Sequence, residues 1–104
     1  MPISKQFFKN KPECKVKFTL SAEEADDASF VALVGDFNNW DIHATPMKKQ
    51  KNGSFSVTLN LPAGQKVSFR YLADETRWLN DSAADSYEFC SYALADNSIL
   101  NLEA

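Results

Sequence analysis

The chain has 104 residues, 44% hydrophobic and 24% charged, with a formal net charge of −3, a composition that excludes global disorder and favours one domain, residues 1–104, burying roughly 60–70% of the surface its unfolded form exposes. The longest clean apolar run, Phe30 to Val34, is far short of a membrane span, and the acidic balance argues against a nucleic-acid partner. The N-terminal MPISKQFFKNKPECK lacks the long apolar segment and cleavage site of a secretory signal, so a cytoplasmic location is the default expectation.

The first periodic segment is CKVKFTL at 14–20, where Cys14, Val16, Phe18 and Leu20 alternate with Lys15, Lys17 and Thr19 as in a half-buried strand. SAEEADDA follows as a loop in which Ser21 and Glu24 have the spacing of a capping box. SFVALVG at 29–35 is more continuously apolar and predicts a central strand, and GDFNNWDIHATPM is a long connection with little periodicity. A turn at Asn52-Gly53 leads into FSVTLNL, with Phe55, Val57, Leu59 and Leu61 on one face. LPAG at 61–64 is a tight turn in which Pro62 presets φ and Gly64 takes a positive φ.

KVSFRYLA at 66–73 repeats the alternation, with Val67, Phe69, Tyr71 and Ala73 on one side and Ser68, Arg70 and Leu72 on the other. DETR at 74–77 reads as a hairpin loop with Trp78 on the returning strand, and YEFCSYALADN then SILNLE complete the chain. Leu72 and Ile99 fall on the side away from their neighbours' apolar face, which predicts either that both faces of a central strand are partly covered or that the phase of the alternation slips nearby. Roughly six to eight short strands with frequent turns and no long helix predict an all-β antiparallel sandwich.

The residues give little support to catalysis. His43 is the one imidazole, and a surface or structural role is its expected one. Asp36, Asp41, Asp74, Glu75, Asp81 and Asp85 fall near loops with no spacing that selects an acid–base pair. The three glycines, Gly35, Gly53 and Gly64, are isolated and build no phosphate cradle. Cys14 and Cys90 read as buried or half-buried thiols, and no close-spaced set implies a metal or another cofactor. A non-enzymatic protein is expected.

Binding is better supported. Trp40 and Trp78 both flank turns, and two broad rings at strand ends suit the apolar C–H face of a pyranose. The sugar hydroxyls require amides and cations to donate and accept, which Asn38, Asn39, Asn97, Arg70 and Lys66 supply. Within GDFNNW, Gly35 ends the strand and lets the chain turn closely, Phe37 packs inward, Asn38 or Asn39 bonds the loop backbone, and Trp40 carries function.

GDFNNW, LPAGQKVSFRYLADETRW, the following Asn80-Asp81 and the late DNSILNL resemble the glycogen-binding module of AMP-activated protein kinase β subunits. They are also similar to the early-set domains of glycogen branching and isoamylase-type debranching enzymes, the carbohydrate-binding module family 48 group. The resemblance covers about residues 29–102. It implies an immunoglobulin-like, early-set topology and binding of α-1,4-linked glucans such as glycogen, starch or maltooligosaccharides. It places Trp40 and Trp78 as sugar-stacking rings, Arg70 where the kinase module has a sugar-contacting Lys, and Asn97 as the sugar-binding Asn. Ala93, with Leu94 beside it, stands where that module projects a Leu. The expected function is glucan binding by a stand-alone module, with a glycogen-metabolising enzyme or another protein as further partner. The alternative is a protein-interaction or scaffolding sandwich that has lost the sugar.

Overall fold

The structure is a computed structural model that describes residues 3–26, 28–81, 84–91 and 95–103. The first sheet has the order β1 (Ile3–Phe7), β2 (Glu13–Leu20), β5 (Phe55–Pro62), β4 (Lys48–Lys49). The second has the order β3 (Val31–Gly35), β6 (Lys66–Ala73), β9 (Ala95–Asn101), β8 (Ser86–Cys90), with β7 (Arg77–Leu79) also pairing β6. Every strand pair is antiparallel. The fold is a β-sandwich, as the alternation predicts.

Register follows from the apolar period. Cys14, Val16, Phe18 and Leu20 of β2 stand opposite Leu61, Leu59, Val57 and Phe55 of β5. A slip by one residue would drive Lys15 and Lys17 into the interior, so the pairing is strongly specified. Val67, Phe69, Tyr71 and Ala73 of β6 close the core from the other sheet. Phe69 stands edge-on to Phe18 at 5.2 Å and to Tyr71 at 5.7 Å. Each such fully buried ring contributes about 1.5–3 kcal/mol of transfer free energy.

Between the sheets, the loop after β2 carries a one-turn helix, α1 (Ala22–Ala25). Glu24 N donates to Ser21 Oγ at 3.1 Å and Ser21 N to Glu24 Oε1 at 3.3 Å, the reciprocal box that the spacing predicts. The turns at Gly53 and Gly64 have φ of 88° and 83°, the left-handed region that glycine enters without steric cost.

Two strands go beyond the sequence expectation. β4 is only two residues long. β1 puts Ile3, Lys5 and Phe7 opposite Phe18, Val16 and Cys14, so a lysine occupies its central inward position and breaks the apolar period.

For Leu72 and Ile99 the first expectation holds, because both are buried on the outer face of the second sheet. Ala32, Val34 and Leu72 form a second apolar cluster there, with Phe30, Trp40 and Ile42 packed against it. β3 is thus buried on both faces, as its unbroken apolar run requires. Cys14 is buried and Cys90 half-buried, both as free thiols. Among the described residues no helix is long and apolar enough to cross a membrane, and no cluster of His, Cys, Asp or Glu is suited to hold a metal ion.

Candidate functional site

The connection after β3 folds back along that strand. Leu33 N donates to Thr45 O at 2.9 Å and Met47 N to Val31 O at 2.8 Å. The return leg carries Trp40 and Ile42 onto the second apolar cluster. What turns the chain is a 3₁₀ segment, Asp36–Asn38, built by the GDFNNW residues themselves.

Gly35 is extended, with φ of −165°, so its requirement is space and not backbone conformation. A Cβ there would lie 2.5 Å from both Phe37 Cε2 and the Ser68 carbonyl oxygen. Phe37 packs against the main core, its ring stacked at 6.2 Å from Phe18. Asn38 carries the turn: its Oδ1 accepts from Gly35 N, and its Nδ2 donates to Leu33 O and Thr45 Oγ1, all at 3.0 Å. That amide is committed to the loop, the role expected of Asn38 or Asn39, and so is not left to meet sugar hydroxyls. Asp36 Oδ2 accepts from Ser68 N at 3.1 Å and ties the turn to β6.

Asn39 and Trp40 follow with φ of 60° and 57°. A positive φ is tolerable for Asn but is a genuine outlier for a side chain as bulky as Trp. Trp40 N donates to Gly35 O at 2.8 Å and Asp41 N to Asn38 O at 3.2 Å, so the surrounding turn holds the strained residue in place. The outcome is a half-buried Trp40 ring laid on the outer face of the sheet.

The second ring comes from the hairpin after β6. Asp74 and Glu75 turn the chain with φ of 51° and 61°. Asp74 Oδ1 also accepts from the backbone N–H groups of Ser29 and Phe30 at 2.9 and 3.0 Å. The returning β7 pairs Trp78 with Leu72, which puts Trp78 on the same outer face, 45% exposed.

Arg70 lies between the two rings. Its guanidinium carbon is 4.7 Å from the Trp78 ring centre and 5.7 Å from that of Trp40. β9 pairs β6 through Phe69, and β7 takes up the pairing at Tyr71. Arg70 therefore sits at the seam where the edge partner of β6 changes.

Asn97 is one step beyond Ser98, the partner of Phe69, and alternation turns it to the outer face with Arg70. Its cross-strand neighbour on β8 is Glu88. Arg70 Nε and Asn97 Oδ1 are both buried and make no hydrogen bond among the described residues. Buried polar groups are nearly always paired, and these two lie on residues of the same face.

A polar clip, not foreseen as such from the sequence, relates Trp78 to Asn97. Just after β7, Asp81 N donates to Ser98 Oγ at 2.9 Å, Ser98 Oγ to Asn80 Oδ1 at 2.7 Å, and Asn80 Nδ2 to Asp96 O at 2.9 Å. These bonds grip β9 on either side of Asn97. The Asn80-Asp81 pair was the signal for it, although nothing in the spacing named Ser98 as its partner.

The structure therefore brings Trp40, Trp78, Arg70 and Asn97 to one face. Lys66 is exposed on β6, opposite Asn101, and His43 is exposed in the connection. Ala93 and Leu94 lie outside the described residues.

With this geometry in view, two comparisons bear on identity. The sequence profile of carbohydrate-binding module 48 (isoamylase N-terminal domain) matches residues 9–89. The match starts earlier than the resemblance read from motifs and stops before Asn97, which that resemblance named and the strand register turns to the same face. Among characterised proteins, the 1,4-alpha-glucan branching enzyme GlgB of Aquifex aeolicus is 47% identical over 38 residues, 36% of this chain and 6% of the enzyme. A 1,4-alpha-glucan-branching enzyme of Emericella nidulans is 44% identical over 45 residues, 43% of this chain and 7% of the enzyme.

Proposed function

The chain belongs to the carbohydrate-binding module 48 (isoamylase N-terminal domain) family, and on that premise we propose that it binds α-1,4-linked glucan on the outer face of its second sheet. The domain is a carbohydrate-binding module and is not catalytic in itself. The observation that carries the proposal is the pair of orphaned polar atoms, Arg70 Nε and Asn97 Oδ1, on the face that also holds Trp40 and Trp78.

The chemistry of that face matches a glucan. Indole rings take the apolar C–H face of a glucose unit and exclude water from it. Sugar hydroxyls both donate and accept, so the Arg70 guanidinium meets their lone pairs and the Asn97 carbonyl meets their protons. Each orphaned group costs about 1–3 kcal/mol while unpaired, and a hydroxyl that reaches it through a small side-chain rotation recovers that cost. The names of the two relatives specify 1,4-alpha-glucan as their substrate, which favours this polymer over other polysaccharides. A scaffolding role alone leaves the convergence of two rings, a cation and an amide on one face unexplained.

Isothermal titration with β-cyclodextrin and maltoheptaose tests the proposal. The expected result is saturable heat for the wild type and its loss in a Trp40→Ala, Trp78→Ala double variant. Absence of heat and of NMR shifts at millimolar sugar would overturn it, as would full binding by the double variant.

A further inference from the structure

We infer that Arg70 is the positioning residue of the aromatic platform: its guanidinium acts on glucan chiefly by holding Trp78 in place, with direct contact to the sugar as the smaller part. The inference rests on the glucan-binding reading and adds to it a division of labour between the two rings.

Trp40 and Trp78 are restrained very differently. Trp40 is anchored by its own turn, through its backbone bond to Gly35, and by the Ala32, Val34 and Leu72 cluster beneath it. Trp78 has far less support. It stands on a strand of three residues, has Leu72 as its cross-strand partner, and keeps 45% of its surface in solvent. The Arg70 guanidinium lies against it, closer to Trp78, at 4.7 Å, than to Trp40, at 5.7 Å. A planar cation between two rings fixes both their spacing and their attitude, which a flexible ammonium does not do.

The flat face of the guanidinium lies within 4.7 and 5.7 Å of the two indole centres, and that contact stands whether or not its N–H groups also meet the sugar. A preformed platform binds more tightly because less ring freedom is lost when the ligand arrives.

The test exploits the presence of just two tryptophans in the sequence. Fluorotryptophan labelling gives one fluorine resonance per ring, assigned with a Trp40→Phe variant. In sugar-free protein, Arg70→Lys is expected to shift and narrow the Trp78 resonance while leaving that of Trp40 nearly unmoved. Maltoheptaose affinity is expected to fall about three- to tenfold in Arg70→Lys, although a donor and a charge are retained. In a Trp78→Ala background, Arg70→Lys is expected to cost less than twofold, because the ring it serves is gone.

An unmoved Trp78 resonance in Arg70→Lys would overturn the inference, and so would equal loss of affinity with and without Trp78. If wild-type protein bound no glucan, the functional proposal would fall. The fluorine spectra of the free protein would still decide whether Arg70 holds the ring.

Discussion

The Tyr71 hydroxyl donates to Asp81 Oδ2 at 2.6 Å within the sandwich, where the chain leaves the Trp78 hairpin. Burial, and then the charge and hydrogen bond of Asp81, push the Tyr71 pKa above its ordinary value. The folded state therefore keeps a proton that the unfolded chain releases near pH 10. This contribution to stability is complete below about pH 10 and is lost as the pH rises above it. Tyr71→Phe is expected to cost about 1–3 kcal/mol at neutral pH. It should also flatten the fall in stability above pH 10, read by urea denaturation from pH 8 to 11. An equally steep alkaline fall in the variant would place the effect elsewhere.

At the other end of the second sheet, Lys5 Nζ donates to Asp85 Oδ2 at 2.6 Å and to Asn101 O at 2.9 Å, while Asn101 N donates to the same Asp85 oxygen at 2.7 Å. Partial burial pushes the Asp85 carboxyl upward, but the Lys5 hydrogen bond, the Asn101 N–H and the Lys5 charge together hold it below its usual value. A depressed carboxylate stabilises the fold above the unfolded value of about pH 4, and the contribution is lost as the pH falls through the folded value. The pair is solvent-screened, so Asp85→Asn is expected to cost less than about 1 kcal/mol at pH 7 and little in high salt. Denaturation at pH 7 and pH 3, at low and high salt, reads both dependences.

The same two sites show where the sequence was informative. β2, β5 and β6 were legible because alternation and burial agree residue by residue, as in Cys14, Val16, Phe18 and Leu20. β1 was not, because its inward Lys5 is satisfied by Asp85, eighty positions away. Of the site, the aromatic, cationic and amide residues were nameable from motif and chemistry. Their arrangement was not, since Arg70 reaches both rings only because β9 gives way to β7 along β6. The strain at Trp40 was equally invisible, and which of Asn38 and Asn39 bonds the turn was left open, because both depend on where Thr45 and Gly35 lie in space.

That turn carries its own prediction. Asn38→Ala removes three hydrogen bonds and leaves Leu33 O and Gly35 N without them, an expected loss of about 1–3 kcal/mol. Asn38→Asp keeps the acceptor for Gly35 N but turns a carboxylate oxygen toward Leu33 O, and is expected to fare no better. Gly35→Ala is expected to destabilise by a similar amount, since its Cβ meets the Ser68 carbonyl at 2.5 Å, an atom of the backbone. Thermal melts rank the three, and a Gly35→Ala protein as stable as wild type would mean that the close approach is unimportant.

The two tryptophans should separate stability from binding. Trp40 lies on the Ala32, Val34 and Leu72 cluster, so Trp40→Ala uncovers apolar surface and is expected to cost about 1–3 kcal/mol. Trp78 is 45% exposed, and Trp78→Ala removes a ring that shields little, for an expected cost below about 1 kcal/mol. If the platform is the glucan site, each variant loses affinity for maltoheptaose, but only Trp40→Ala shows a large fall in Tm. The decisive protein is therefore Trp78→Ala, in which wild-type stability with about tenfold or greater loss of affinity assigns the ring to the ligand. Wild-type affinity in that variant would remove Trp78 from the site and leave Trp40 as a cover for the second apolar cluster.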